Sequence, residues 1–362
     1  MKESSLQLTA IDLFSGCGGL TLGLRQAGFD VLAAVEIDPG AVRSYELNHP
    51  DVIVVEEDIT KFHPSELREL LQIPSGSLDL LAGCPPCQGY STLRTRNGGK
   101  QNRDGRNGLV RRMLDFAQEF LPKAIMMENV PGLLGKKAHR DLYGGLKELG
   151  YVQNAAIKDA QLFGVPQRRR RLILLAGMGF EIPFAPETES EMTVRLAIDG
   201  LPEAGLSGDR WHDFPEERSD KTRRLISRIP QDGGSRMDLG RDEQLACHKE
   251  CDGFKDVYGR MAWDDVAPTI TGGCFNPSKG RFLHPNLDRC ITLREAALLQ
   301  SFPREYKFDE SAGKLAVALM IGNALPPEFI RRHALEVRMA LQAHMEESAT
   351  YVPSGTRKAG PR

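Results

Sequence analysis

The chain has 362 residues, enough for two or three domains and a sizeable buried core, which excludes a small disulfide-stapled module. Apolar residues make up 41% and charged residues 27%, which excludes a disordered chain. Lys and Arg total 47 against 49 Asp and Glu, a net charge of −2, so any affinity for a polyanion must come from local clustering. The 7 cysteines are odd in number and widely spread, which fits a reducing compartment such as the cytoplasm better than a disulfide framework. No run of apolar residues is long enough to span a bilayer and the N-terminus has no cleavage pattern, so neither a membrane protein nor a secreted one is expected.

Short β-branched apolar runs alternate with helical stretches through the first half. Strands are expected at residues 8–14, 31–35, 52–55, 78–82, 124–127 and 171–176, with a helix over 20–27 after the first. Uniformly apolar runs suit strands buried on both faces, so the fold class is α/β with a doubly wound, mostly parallel sheet. Near residue 180 the texture changes, as Pro183, Pro186, Pro202, Pro215 and Pro230 punctuate a stretch rich in Gly, Asp, Glu and Arg. The expected organisation is a first domain over 1–180, a smaller irregular domain over 181–314, a C-terminal helix over 315–348 that returns to the first domain, and a disordered tail over 349–362.

Three strand ends suggest a ligand. Phe14-Ser15-Gly16-Cys17-Gly18-Gly19 joins a strand to a helix with residues small enough for a ligand to reach backbone N–H groups. The spacing of Gly16, Gly18 and Thr21 departs from the dinucleotide pattern, yet Glu36 closes the next strand, where an acid accepts hydrogen bonds from ribose hydroxyls. Glu57-Asp58-Ile59 adds a carboxylate suited to an exocyclic amine. Together these point to a nucleoside more than to a pyrophosphate.

A strand over 78–82 delivers Gly83-Cys84-Pro85-Pro86-Cys87-Gln88-Gly89-Tyr90-Ser91 to the same sheet edge. The Pro-Pro step fixes Cys87 and Gly89 leaves room beside it, which favours a nucleophilic thiol. Zinc bound by Cys84 and Cys87 with Cys247, His248 and Cys251 is the alternative, disfavoured because two prolines remove N–H donors that zinc turns use. The next strand ends in Glu128-Asn129-Val130-Pro131-Gly132, bringing a carboxylate to that edge. In Gln167-Arg168-Arg169-Arg170-Arg171, strand alternation sends Arg169 and Arg171 to one side and Arg168 and Arg170 to the other.

Taken in order, DLFSGCGGL, VEID, EDI, GCPPCQGYS, MENVPGLL, QRRRRLILLA, LREAALLQSFP and IGNALPP resemble the motifs of a bacterial-type DNA (cytosine-5-)-methyltransferase over nearly the whole chain. Cys84 stands where a small residue is usual, and Ile37 replaces the aromatic that follows the ribose-binding acid. The resemblance implies a Rossmann-like S-adenosylmethionine-dependent methyltransferase with a target-recognition domain over 181–314. It implies that Cys87 adds to C6 of a flipped-out cytosine, that Glu128 hydrogen-bonds N3 and the exocyclic amine, that Arg171 holds O2, and that Arg169 positions the surrounding backbone.

The same resemblance implies a cofactor site lined by Phe14, Gly16, Gly18, Gly19, Leu20, Glu36, Ile37, Asp58, Ile59, Pro86, Leu109, Asn323 and Ala324, and no metal. For the partner, double-stranded DNA, it implies a mobile basic loop after Cys87, with Ser91, Arg94, Arg96, Lys100, Arg103 and Arg106, and further contacts from Gln167. Within the irregular domain Arg260, Thr269, Thr271, Asn276, Lys279 and Arg281 are candidate contacts, whereas Trp263 is expected in the core. A monomer is expected, and a companion restriction endonuclease is left open. Two other readings stay open: a tRNA cytosine-5 methyltransferase, although the Cys-Phe-Thr tripeptide of that branch is not found, and a catalytically silent DNA-binding subunit.

Overall fold

The structure, a computed structural model, describes residues 7–86, 108–244 and 255–350. Its first part alternates strand and helix: β1 (Leu8–Leu13), α1 (Gly19–Gln26), β2 (Phe29–Glu36), α2 (Pro39–Glu46), β3 (Ile53–Glu56), α3 (Pro64–Leu71), β4 (Leu80–Gly83), α4 (Leu109–Phe120), β5 (Ala124–Asn129), α5 (Lys137–Glu148), β6 (Tyr151–Asp159) and β7 (Arg170–Met178). These strands form a 7-stranded sheet in the order β3-β2-β1-β4-β5-β7-β6. β3 to β5 pair in parallel, while β7 is inserted antiparallel between β5 and β6. The sheet is doubly wound and mostly parallel, as the apolar runs require. β6 was not among the expected strands: it lies at the sheet edge, and Gln153, Asn154 and Lys158 interrupt its apolar pattern.

Two cores flank the sheet. Leu20 and Leu24 of α1 pack with Phe329, Ile330 and Val337 against one face, and Leu67 of α3, Phe116 of α4 and Leu142 of α5 against the other. Phe329 belongs to the long α11, which follows α6 (Val194–Ile198), α7 (Arg210–Asp213), α8 (Asp220–Arg228), α9 (Leu293–Leu299) and α10 (Lys314–Asn323) and spans Pro327–Thr350. The single helix expected over 315–348 is thus two helices. Pro326 and Pro327 explain the break, since a residue before proline is disfavoured in the helical conformation. The expected tail lies outside the described residues beyond Thr350.

The seating of α11 on α1 depends on Gly23, where a Cβ would lie 2.6 Å from both Ile330 Cβ and Pro327 O. Gly23→Ala should therefore lower stability by about 1–2 kcal/mol in urea unfolding, because overpacking of about 1–3 kcal/mol outweighs the roughly 0.5–1 kcal/mol that alanine gains in a helix. A net gain would show that the two helices separate easily.

A third apolar cluster, with Trp211, Trp263, Phe282, Leu299, Phe302 and Ile321, joins the irregular part to α9 and α10, and a fourth gathers Leu225, Ile226, Tyr258 and Leu283. Among the described residues no helix is long and apolar enough to cross a membrane.

Candidate functional site

The C-terminal ends of β1 to β5 lie along one edge of the sheet. After β1 the chain turns through Phe14 (φ 62°), Gly16 (φ 56°) and Gly18 (φ 94°) into α1. Left-handed backbone at Phe14, which has a Cβ, costs of the order of 1–3 kcal/mol and persists only where its surroundings enforce it. The glycines differ in purpose. A Cβ on Gly16 would meet nothing within 4 Å, leaving an open approach to the backbone, whereas one on Gly18 would lie 2.7 Å from Tyr306 Oη and one on Gly19 2.8 Å from Leu325 O. The second and third glycines thus also let the late part of the chain pack against the turn.

Glu36 ends β2 with its carboxylate fixed by three backbone donors: Gly16 N–H at 2.8 Å to Oε2, and Ile37 N–H and Asp38 N–H, each at 2.9 Å, to Oε1. Beside it Ile37 is 61% exposed. Glu57 N–H donates to Glu36 O at 3.1 Å, which brings the β3 end alongside. There Asp58 accepts from Thr60 Oγ1 at 2.7 Å and Thr60 N–H at 3.0 Å, and these bonds hold its carboxyl below the usual carboxylate range. Ile59 and Leu20 are buried, Phe14, Leu109 and Ala324 half-buried, and Pro86 and Asn323 exposed. An open backbone face, a pinned carboxylate and an exposed aliphatic surface fit an S-adenosylmethionine ribose and adenine.

Next along the edge, β4 passes into Cys84-Pro85-Pro86. Burial, with Glu128 adding to it, pushes the Cys84 thiol well up, so it is held as the neutral thiol. Cys87, with Ser91, Arg94, Arg96, Lys100, Arg103 and Arg106, lies outside the described residues, as do Cys247, His248 and Cys251 of the zinc alternative. Among the described residues no cluster of His, Cys, Asp or Glu could hold a metal ion.

Glu128 ends β5 buried, with Arg171 Nε 2.7 Å from its Oε1. The antiparallel register, which pairs Asn129 with Leu172, sets the two side chains next to each other. Burial raises the Glu128 carboxyl above its ordinary range, and Arg171 and Arg169 oppose the rise without cancelling it. The result is a carboxyl readier than usual to hold a proton. Asn129, which sequence reasoning passed over although it sits in the quoted MENVPGLL motif, donates from Nδ2 to Pro85 O at 2.8 Å and ties the turn after β4 to β5.

The arginine run alternates: Arg168 and Arg170 are exposed, Arg169 is buried, and Arg171 half-buried. Arg169 does not reach into the site. Its Nη1 donates to Ile270 O and its Nη2 to Gly322 O and Ala324 O, each at 3.0 Å, so it organises backbone.

Two expected DNA contacts are corrected. Gln167 is fully buried, with its amide donating to Gln300 Oε1 and Leu299 O and accepting from Ile270 N–H, which leaves nothing for DNA. Arg260 is fully buried and donates to the carbonyls of Ile226, Ile229, His284 and Leu287 and to Asp288. Arg281 is half-buried, with Nη1 donating to the Gly233, Gly234 and Arg260 carbonyls and Nε 3.6 Å from Asp256 Oδ1. By contrast Lys279 and Thr269 are exposed, Thr271 and Asn276 half-buried, and Trp263 lies in the core with its ring edge-on to His284.

A sheet of this order, with an antiparallel strand inserted beside the last parallel one, is the fold of S-adenosylmethionine-dependent methyltransferases. The crystal structure of an E. coli protein encoded within a prophage superposes with a TM-score of 0.72 at 24% identity, covering 93% of this chain and 100% of that one. In sequence the chain matches the C-5 cytosine-specific DNA methylase family over residues 8–338. It is 37% identical over 350 residues to the Type II methylase M.HgiDII of Herpetosiphon aurantiacus, covering 92% of this chain and 95% of the relative. To the Type II methyltransferase M.XorII of Xanthomonas oryzae pv. oryzae it is 31% identical over 380 residues, with coverages of 95% and 88%. The chain belongs to the C-5 cytosine-specific DNA methylase family, and its class of activity is DNA (cytosine-5-)-methyltransferase.

Proposed function

We propose that the chain methylates C5 of a flipped-out cytosine within a specific double-stranded DNA sequence, through a covalent bond between Cys87 and C6. The observation that carries this reading is the pairing of buried Glu128 with half-buried Arg171 at the sheet edge shared with the Gly16–Glu36 turn. A carboxyl whose proton is favoured by burial can donate to cytosine N3, and its other oxygen can accept from the exocyclic amine. Arg171, with Nε against Glu128 and Nη1 donating to Arg170 O at 2.8 Å, has Nη2 left to donate to O2. Addition of the Cys87 thiolate to C6 then meets a ring that is already polarised, and C5 becomes enamine-like. S-adenosylmethionine, when bound, supplies the methyl group, after which loss of the C5 proton and release of the Cys87 thiolate from C6 would restore the ring. Phe14, Gly16, Gly18, Gly19, Leu20, Glu36, Ile37, Asp58, Ile59, Pro86, Leu109, Asn323 and Ala324 would hold it, with Glu36 on the ribose and Ile37 against the adenine.

Residues 1–180 and the returning helices would then form the catalytic domain, and 181–314 the target-recognition domain, with the basic segment after Cys87 and Lys279 on the phosphates. Bisulfite sequencing of plasmid DNA from cells expressing the chain should reveal protected cytosines within one sequence. A duplex with 5-fluorocytosine at that position should yield a denaturation-resistant adduct that requires the cofactor, because fluorine cannot leave as a cation and elimination stops. Protected cytosines without an adduct would leave the activity and remove the covalent step; tRNA methylation without DNA methylation would favour the RNA reading.

A further inference from the structure

Three buried polar side chains meet beneath the site, and one of them, Gln300, takes no part in the chemistry described above. Gln300 Oε1 accepts from Gln167 Nε2 at 2.8 Å, and Gln167 Oε1 accepts from Ile270 N–H at 2.8 Å. Gln300 Nε2 donates to Ile321 O at 2.6 Å and Ala324 O at 3.3 Å. Arg169 completes the junction by taking Ile270 O, Gly322 O and Ala324 O. Ile321 and Gly322 lie in the last turn of α10, where carbonyls have no helical partner, so Gln300 and Arg169 cap that helix in place of water. Ile270 is gripped at both its N–H and its C=O. The two held segments also touch directly: a Cβ on Gly322 would lie 2.2 Å from Gly272 N and 2.3 Å from the Thr271 carbonyl carbon.

We propose that Gln300 is a positioning residue that couples the two halves of the site. Through Gln167 it fixes the segment over 269–272, and through Ile321 and Ala324 it fixes the turn bearing Asn323, so that DNA and cofactor strengthen each other's binding. The inference rests on the reading of Asn323 and Ala324 as cofactor lining and of 269–272 as facing DNA. Its physical basis is that the three side chains of the junction, Gln167, Arg169 and Gln300, are buried. Movement of either segment alone strands an amide or a carbonyl without a partner, so a ligand that orders one side orders the other.

The test is the affinity for S-adenosylhomocysteine measured by calorimetry, with and without a saturating duplex bearing the methylated sequence. In the wild-type chain the duplex should tighten binding about tenfold, within the usual range for coupled sites. Gln300→Met, which keeps length and loses every hydrogen bond, should bring the ratio down to about threefold or less, Arg169 and the Gly322 contact carrying the remainder. Gln300→Glu, which still accepts from Gln167 but no longer donates to the turn, should do the same and serves if the Met variant does not fold. Phe120→Leu, a core truncation on the far layer of the sheet, should lower thermal stability and leave the ratio unchanged. A ratio near one in the wild type, an unchanged ratio in a folded Gln300 variant, or an equal loss in Phe120→Leu would overturn the proposal. Bisulfite sequencing reports separately on the functional reading, so failure of one is not mistaken for failure of the other.

Discussion

Replacing Cys87 with serine is expected to reduce methyl transfer to background while leaving S-adenosylmethionine binding nearly intact. A hydroxyl is a far weaker nucleophile than a thiolate, yet it is close in size, and the substitution leaves every residue of the turn around Gly16 and Glu36 unchanged. Incorporation of labelled methyl into duplex DNA reads the first effect and calorimetry the second. Cys84→Ala is the companion variant, and substantial activity is expected from it. Burial keeps the Cys84 thiol neutral, and its backbone, rather than its sulfur, anchors the turn through Cys84 N–H to Leu13 O at 3.2 Å. Full turnover in Cys87→Ser would end the covalent mechanism. Stoichiometric zinc in the purified chain, with folding lost when either cysteine is replaced, would return Cys84 and Cys87 to a metal site.

The strand-rich half was legible in the sequence because its central strands are buried on both faces and so read as unbroken apolar runs. The β4 residues Leu80, Leu81 and Ala82 are each 0% exposed. β6 escaped because an edge strand tolerates polar residues, and nothing in Gln153 or Asn154 announces a strand. The alternation of Arg168 to Arg171 followed from the period of two. What remained hidden was the use of polar residues as internal fasteners. In a region with few apolar runs, loop carbonyls still require donors, and Arg260 supplies them from a fully buried position. Nothing local distinguishes such an arginine from one that meets phosphates. The glycines after β1 carried the converse ambiguity. Their pattern suggested a ligand, but Gly18 and Gly19 also accommodate Tyr306 and Leu325, which are remote in sequence.

Glu128→Gln should lower the rate of methyl transfer by about 10²–10⁴-fold, the range for losing a positioned proton donor, and should at the same time stabilise the ligand-free chain at alkaline pH. Burial raises the folded-state pKa of Glu128 above the unfolded value, so the protonated carboxyl is the form that the fold prefers. Its contribution is fully present below the unfolded pKa and is lost as pH rises toward and through the raised folded value. Gln imitates the protonated acid and does not titrate; it keeps an oxygen for the Arg171 Nε that now lies 2.7 Å from Oε1. Melting curves of the two proteins should therefore converge near about pH 4, close to the ordinary glutamate pKa, and separate above it with the variant melting higher. Such a trade of stability for function is what a catalytic carboxyl in a buried site imposes. A variant that melts lower at every pH would mean that the ionised Glu128–Arg171 pair stabilises the fold, and Glu128 would then be a structural acid with no proton to offer cytosine.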